Sequence, residues 1–311
     1  MESVKIGSKN MEKEKKKKGE YKVLLYYRFV PVEDPESVML WQKALCEKLN
    51  LNGRIIVATH GINGTLGGSL KECKEYVKAM KKSSKFKDTQ FKWSEGTGDD
   101  FPKLSVKVRK ELVTLDPEHE FDVFDKSKGL SPTQWHEYLE KNPDVTLLDA
   151  RNVYESEIGV FKAGSKNLIA PKINAFREIK EHLEDIPKDK PVLTYCTGDV
   201  RCEYLSAYMK DKGFKEVYHL EGGIVKYGQQ YGNDGFWDGK CFTFDGRMKL
   251  DFADDIAECR QCGAKTSEQI NCEKTGCNEL QVICGDCQKK GFKCIKCGTK
   301  GFGRKHQDKL V

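Results

Sequence analysis

The 311 residues are more than one ordinary domain needs and fit two or three. With 38% hydrophobic and 33% charged residues, the chain has apolar material for normal cores and a heavily solvated surface. No apolar run reaches the roughly 18 residues that a membrane-spanning helix requires. The formal charge of +6 decides little by itself. The Lys-rich start has no apolar segment behind it, so it is not a secretory signal; poor in Arg and containing Glu, it also fits a mitochondrial presequence badly. The expected compartment is the cytoplasm.

Residues 1–20 are polar and low in complexity, and are expected to form a disordered tail ending in the basic run Lys15, Lys16, Lys17 and Lys18. An apolar, aromatic-rich run over residues 21–30 then reads as a buried strand. Pro35 begins a helix with Val38, Trp41, Leu45 and Leu49 on one face, closed by Gly53. Strands over 54–58 and 62–66 follow, joined by a tight turn at His60 and Gly61. A helix over 70–81 and strands near 90–93 and 104–109 complete the unit. The order βαββαβ with short connections predicts a ferredoxin-like (acylphosphatase-like) α+β domain over residues 21–116.

Beyond Asp116 and Pro117, strands over 146–149, 192–196 and 217–220 alternate with helices near 132–141, 174–183 and 202–212. Such alternation predicts an α/β domain, residues 117–240, built on a mostly parallel sheet covered on both faces. Past Phe236 the periodicity is lost, and residues 241–311 read as a cysteine-rich module. A second basic stretch closes the chain: Lys289, Lys293, Lys296, Lys300, Arg304, Lys305 and Lys309. Basic ends beside globular domains suit a polyanion such as RNA, though solvated tails that aid solubility look the same.

Thirteen cysteines in a cytosolic chain need a use other than disulfides. Cys46 and Cys73 fall on predicted helices, where buried, inert thiols are expected. Cys196 ends an apolar strand, and Thr197, Gly198, Asp199, Val200 and Arg201 lead into a helix that carries Cys202. A thiol placed there meets inward-pointing backbone N–H groups and the positive end of a helix dipole, which stabilise a thiolate or oxyanion. Its pKa is expected to fall below the free value of about 8.5. Gly198 lets the backbone curl around an anion, and Arg201 adds a fixed positive charge. The spacing is C-x4-R, one residue shorter than the C-x5-R phosphate cradle of cysteine phosphatases.

This loop resembles that of the rhodaneses, where the anion is a persulfide or a sulfur-bearing substrate. Leu148-Asp149-Ala150-Arg151-Asn152 resembles their D-x-R-N strand end, with Glu155 at the next acidic position, and Asp149 and Arg151 are expected to brace the loop. Gly159-Val160-Phe161-Lys162-Ala163 is similar to G-H-F-x-G-A with Val160 for His, and Leu220-Glu221-Gly222-Gly223-Ile224 to L-x-G-G-I. The string from Cys196 to Glu203 resembles C-T-G-G-I-R-C-E of the tRNA uridine(34) hydroxylase family. Gly61-Ile62-Asn63-Gly64-Thr65 resembles that family's E-G-I-N-G-T with His60 for Glu, and residues 239–247, containing Cys241, resemble its G-K-C-F-V-F-D-x-R. The resemblance spans residues 21–300. Its main departure is Asp199 for Gly, which places a carboxylate beside the anion site.

The resemblance implies hydroxylation of C5 of the wobble uridine of tRNA, with molecular oxygen as cosubstrate. In that chemistry Cys196 would add to C6 of the ring, and Arg201 with the loop amides would stabilise the resulting enolate. Cys202 would resolve an oxidised Cys196, or serve only as a small core residue. Two other readings share the loop: a sulfurtransferase carrying persulfide on Cys196, and a non-catalytic RNA- or protein-binding scaffold. No G-x-G-x-x-G fingerprint for a flavin or nicotinamide is present.

The remaining cysteines form four pairs: Cys259 with Cys262, Cys272 with Cys277, Cys284 with Cys287, and Cys294 with Cys297. A C-x2-C turn sets two sulfurs at the separation a tetrahedral ion requires, so the eight predict two closed, structural zinc sites. An iron–sulfur cluster is the other reading. Sequential sites would join neighbouring pairs, and a cross-brace would join the first with the third. With few apolar residues and little regular structure expected, the module should need its metal to fold.

Overall fold

The computed structural model describes residues 20–162, 167–245, 249–277 and 279–301. The Lys15–Lys18 run, Ala163, Arg247 and the end of the second basic stretch (Arg304, Lys305 and Lys309) therefore lie outside the described residues. The N-terminal domain comprises β1 (Tyr21–Phe29), α1 (Pro35–Lys48), β2 (Asn52–Ala58), β3 (Gly61–Ser69), α2 (Leu70–Lys82), β4 (Gln90–Glu95) and β5 (Leu104–Val108). Asp34 caps α1 by accepting the Ser37 N–H at 3.0 Å, with Pro35 in the first turn, and Ser69 and Glu72 form a capping box on α2. The sheet order is β4-β1-β3-β2-β5. Its first four strands have the ferredoxin-like order, and β5 adds an edge parallel to β2. The predicted turn before Ile62 is shorter than expected, because Gly61 already pairs with Phe29 and opens β3.

Side chains alternate along β1. Leu24 and Tyr26 enter the core shared with Cys46, Cys73, Tyr76 and Met80 on the helices. Leu25, Tyr27 and Phe29 point the other way, onto the next domain. Burial pushes the thiols of Cys46 and Cys73 up to about 12, consistent with inert core residues.

The second domain runs through β6 (Lys128–Leu130), α3 (Pro132–Lys141), β7 (Thr146–Asp149), α4 (Val153–Ser156), β8 (Gly159–Phe161) and β9 (Leu168–Ile169). It continues with β10 (Val192–Tyr195), α5 (Val200–Asp211), β11 (Val217–Leu220) and α6 (Gly223–Tyr231). Five strands in the order β6-β11-β10-β7-β9 form a wholly parallel sheet. All four residues of β10 are buried because it is the central strand: Val192 enters one core layer, Leu193 and Tyr195 the other. The helix expected near 174–183 is instead a 3-10 segment, Phe176–His182. Phe176 and Ile179, three apart, suit i→i+3 bonding such as Glu178 N–H to Ala175 O at 2.9 Å.

Past Phe236 the chain keeps regular structure, contrary to expectation. β12 (Trp237–Phe242) runs through residue 240, pairing first with β8 and then with β13 (Lys249–Asp251). The cysteine-rich module holds two short hairpins, β14 (Gln269–Asn271) with β15 (Leu280–Val282) and β16 (Phe292–Lys293) with β17 (Lys300–Gly301). Between them lies α7 (Gly285–Lys290).

Candidate active site and metal clusters

Cys196 follows β10 directly and has no exposed surface. The Asp199 N–H donates to its Sγ at 3.2 Å as the chain turns into α5. Burial alone would push the Cys196 thiol up; hydrogen bonding from the Cys202 thiol and N–H and the Arg201 charge outweigh it and bring it down to about 6. Cys202 moves the opposite way, raised by burial and by its neighbour, while the Thr194 hydroxyl donates to its Sγ at 3.4 Å. A protonated Cys202 beside a Cys196 thiolate is the arrangement these directions describe.

The other end of the loop is pinned by α6. Ile224 and Val225 donate their N–H groups to the carbonyls of Cys196 and Thr197 at 3.0 and 3.1 Å. Gly223, at φ +69°, comes so near that a Cβ would lie 2.7 Å from the Cys196 carbonyl oxygen. The consecutive glycines at 222 and 223 serve this approach.

Arg201 does not present a free charge. Its guanidinium grips Glu155 with two parallel bonds of 2.6 and 2.7 Å and reaches the Thr197 hydroxyl at 3.4 Å. Thr197 in turn donates to Glu155 at 3.1 Å. Arg151, buried behind, binds both carboxylate oxygens of Asp149 at 2.8 and 2.6 Å and the carbonyls of Glu155 and Gly159. Asp149 also accepts the Tyr195 hydroxyl at 2.9 Å. Asp149 and Arg151 therefore tie β7, α4 and β10 together beneath the loop.

Asp199 adopts φ +83°, a left-handed conformation that favours glycine. Its carboxylate raises the Cys196 pKa, but the charge is compensated. It meets His219 Nδ1 at 2.7 Å and accepts the Gly222 N–H at 3.0 Å and the Tyr27 hydroxyl at 2.8 Å. Burial opposes charge on both partners, yet their attraction lowers Asp199 and raises His219.

The N-terminal domain forms one wall of the site. Leu25 packs on Gly198, where a Cβ would meet its Cδ2 at 2.7 Å. Tyr27 also donates to Glu203 at 2.6 Å, and Phe29 stacks on Tyr204. Lys92, on β4, donates to the Gly198 carbonyl at 2.5 Å and lies over the Tyr27 ring. Burial lowers its pKa against the pull of Asp199 and Cys196. Sequence reading missed Tyr27, Lys92 and His219, which lie on strands far from the loop in the chain. It placed Glu155 by pattern without assigning its partner. Asn63 donates to the Leu112 carbonyl at 3.3 Å, a structural use.

The eight clustered cysteines form two sets, Cys259, Cys262, Cys284 and Cys287, and Cys272, Cys277, Cys294 and Cys297. First joins third and second joins fourth: a cross-brace. Sulfur separations of 3.7, 3.5 and 3.7 Å between pairs match the edge of a tetrahedron with metal–sulfur bonds of about 2.3 Å. Both sets can hold a metal ion.

A parallel sheet whose central strand delivers a buried cysteine to a helix N-terminus, with arginine in the first turn, defines a rhodanese-like domain. Proteins named tRNA uridine(34) hydroxylase are similar to this chain almost throughout. The one from Corynebacterium jeikeium is 46% identical over 281 residues, 86% of this chain and 90% of that one. The one from Corynebacterium diphtheriae is 42% identical over 304 residues, 92% and 94%. This chain belongs to the tRNA uridine(34) hydroxylase family. Family models match as the UPF0176 acylphosphatase like domain over residues 21–112, the Rhodanese-like domain over 131–230 and the Rhodanase C-terminal region over 238–300. A rhodanese-like domain protein of Staphylococcus aureus is 20% identical, covering 32% of this chain and 90% of its own, at a TM-score of 0.28.

Proposed function

We propose that this protein hydroxylates C5 of uridine 34 in tRNA, in the cytoplasm, with Cys196 as nucleophile, molecular oxygen as oxidant and two structural zinc ions in the C-terminal module. The observation that carries this reading is the placement of Cys196: buried at the carboxyl end of β10, it accepts the Asp199 N–H at 3.2 Å at the start of α5, and against burial the Cys202 hydrogen bonds and the Arg201 charge lower its pKa. No helix among the described residues is long and apolar enough to cross a membrane.

A thiolate is needed because C6 of uracil accepts a nucleophile by conjugate addition. Addition of Cys196 Sγ pushes electron density through C5 to the C4 oxygen, and C5 becomes nucleophilic. After C5 bonds to oxygen, loss of its proton and departure of the thiolate restore the ring double bond. The overall balance is one O2, two electrons and two protons consumed, and one C5 hydroxyl and one water formed; a cellular reductant supplies the electrons. Lys92 holds the Gly198 carbonyl of the loop, and Arg201, gripped by Glu155, would set the loop's shape and the field that meets negative charge on the ring. Since Cys196 is wholly buried, uridine must leave its stack and enter a site whose covering side chains part. Zinc on four thiolates has no open position and would act only on folding.

The test is nucleoside mass spectrometry of tRNA from cells lacking the protein, complemented with wild type or Cys196→Ser. Wobble 5-hydroxyuridine should vanish and return only with wild type, and growth under labelled O2 should label the new hydroxyl. Unchanged wobble uridines would overturn the proposal and make thiosulfate sulfurtransferase activity the next assay.

A further inference from the structure

We propose that Phe244 is a stacking platform for a nucleobase of the RNA loop that presents uridine to Cys196, an inference that rests on the tRNA substrate proposed above. The residues around it are closed in: Phe242, Thr243 and Asp245 are 5, 6 and 8% exposed, whereas Phe244 is 54% exposed. The Thr243 hydroxyl donates to Asp245 at 3.2 Å, and the Phe244 ring sets its edge against Phe242 at 5.2 Å between centroids. An apolar ring thus stands exposed between buried neighbours, with its edge against Phe242.

Its location decides the reading. The guanidinium of Arg201 lies 5.6 Å from the Phe244 centroid, and that same guanidinium is locked by Glu155 and touches Thr197 of the Cys196 loop. The ring therefore stands one side chain from the nucleophile's loop, with a cation against it and much of its surface open. Exposure alone does not single Phe244 out, since Phe124 is 46% exposed; its place beside Arg201 and the Cys196 loop does, and a phenylalanine has no polar atom with which to read sequence. What it offers is a flat apolar face, which any base can use; single-stranded RNA loops are commonly held through such stacking. The arginine beside it reinforces the same use.

The probe is an anticodon stem–loop RNA carrying uridine 34, measured for equilibrium binding, hydroxylation and thermal midpoint of the protein. Phe244→Ala should weaken binding about 5- to 150-fold, the range for loss of one base–aromatic stack. Phe244→Leu, apolar but without a π face, should be nearly as weak. Phe244→Trp should bind as wild type does, with added fluorescence quenched by the RNA. None should move the thermal midpoint appreciably. Wild-type affinity in Phe244→Ala, or equal rescue by Leu and Trp, would overturn the platform. If binding depends on Phe244 and wild type forms no hydroxyuridine, the proposed reaction fails and the platform stands. Hydroxylation and binding untouched by Phe244→Ala would remove the platform alone.

Discussion

Two thiols in the α5 turn share one proton's worth of ambiguity, and their surroundings resolve it. Cys196 receives the Asp199 N–H and feels Arg201, while Cys202 sits one helical turn deeper beside the Thr194 hydroxyl. Cys202 thus acts on Cys196 as a hydrogen-bond donor. Replacing it by Ala should raise the Cys196 pKa from about 6 toward the ordinary thiol range. The rate of Cys196 alkylation against pH, followed by peptide mass spectrometry, would show the midpoint moving upward. An unmoved midpoint would assign the depression to Arg201 and the loop amides instead. The donor role could not be read from the spacing C-x5-C, which fits a resolving thiol, a core residue and a donor equally well.

At the next scale, the turn into α5 is held by three elements at once: Asp199 binds His219 of β11, Gly222 before α6 and Tyr27 of β1. Restoring the family's glycine at 199 would relieve a left-handed φ worth about 1 kcal/mol. It would also leave His219 buried without its counter-ion, and breaking a buried pair typically costs about 3–5 kcal/mol. Asp199→Gly should therefore destabilise by about 2–4 kcal/mol, the difference between those two. The pH dependence follows from the shifts. Raised His219 contributes fully below its unfolded pKa of about 6.5 and loses its contribution as pH rises through the folded value. Lowered Asp199 contributes above about 3.9 and loses its share as pH falls through the folded value. The gap between wild-type and variant melting temperatures should thus be widest from about pH 4 to 6.5 and narrow above it. A gap independent of pH would mean that the pair is not ionised. Sequence reading foresaw the charge at Asp199 but not its partners. The same boundary limited β1, whose apolar run announced burial on both faces. Helices of its own domain explain Leu24 and Tyr26; only the structure shows that Tyr27 meets the loop of another domain.

Across the whole molecule, the metal clusters and the active loop meet at α4. This short helix carries Glu155, which fixes Arg201, and its other side supports the C-terminal module. Gln269 donates to the Tyr154 carbonyl at 2.7 Å, Arg260 pairs with Glu157, and Tyr154 packs with Phe242, Val282 and Leu280. The cysteine pattern announced clusters able to hold metal, but not that their module braces the helix carrying Glu155, since that contact joins residues about a hundred positions apart. A cross-brace threads each ion's ligands through the other's span, so losing either ion should loosen both hairpins. The apolar core between them is small: Ile283 and Phe292 with Cys259 and Cys287. Stripping the metal with a strong chelator should therefore release about two zinc ions per chain and unfold residues 257–301. The parallel sheet, with its own two cores, should survive. Hydrogen exchange would show protection lost in the module and in α4 while β10 stays protected. With Glu155 less firmly held, Arg201 should swing away from Thr197, and Cys196 alkylation at pH 6 should slow as the thiolate loses that charge. Rapid alkylation in a chelated protein whose module has unfolded would show that the loop stands without its brace.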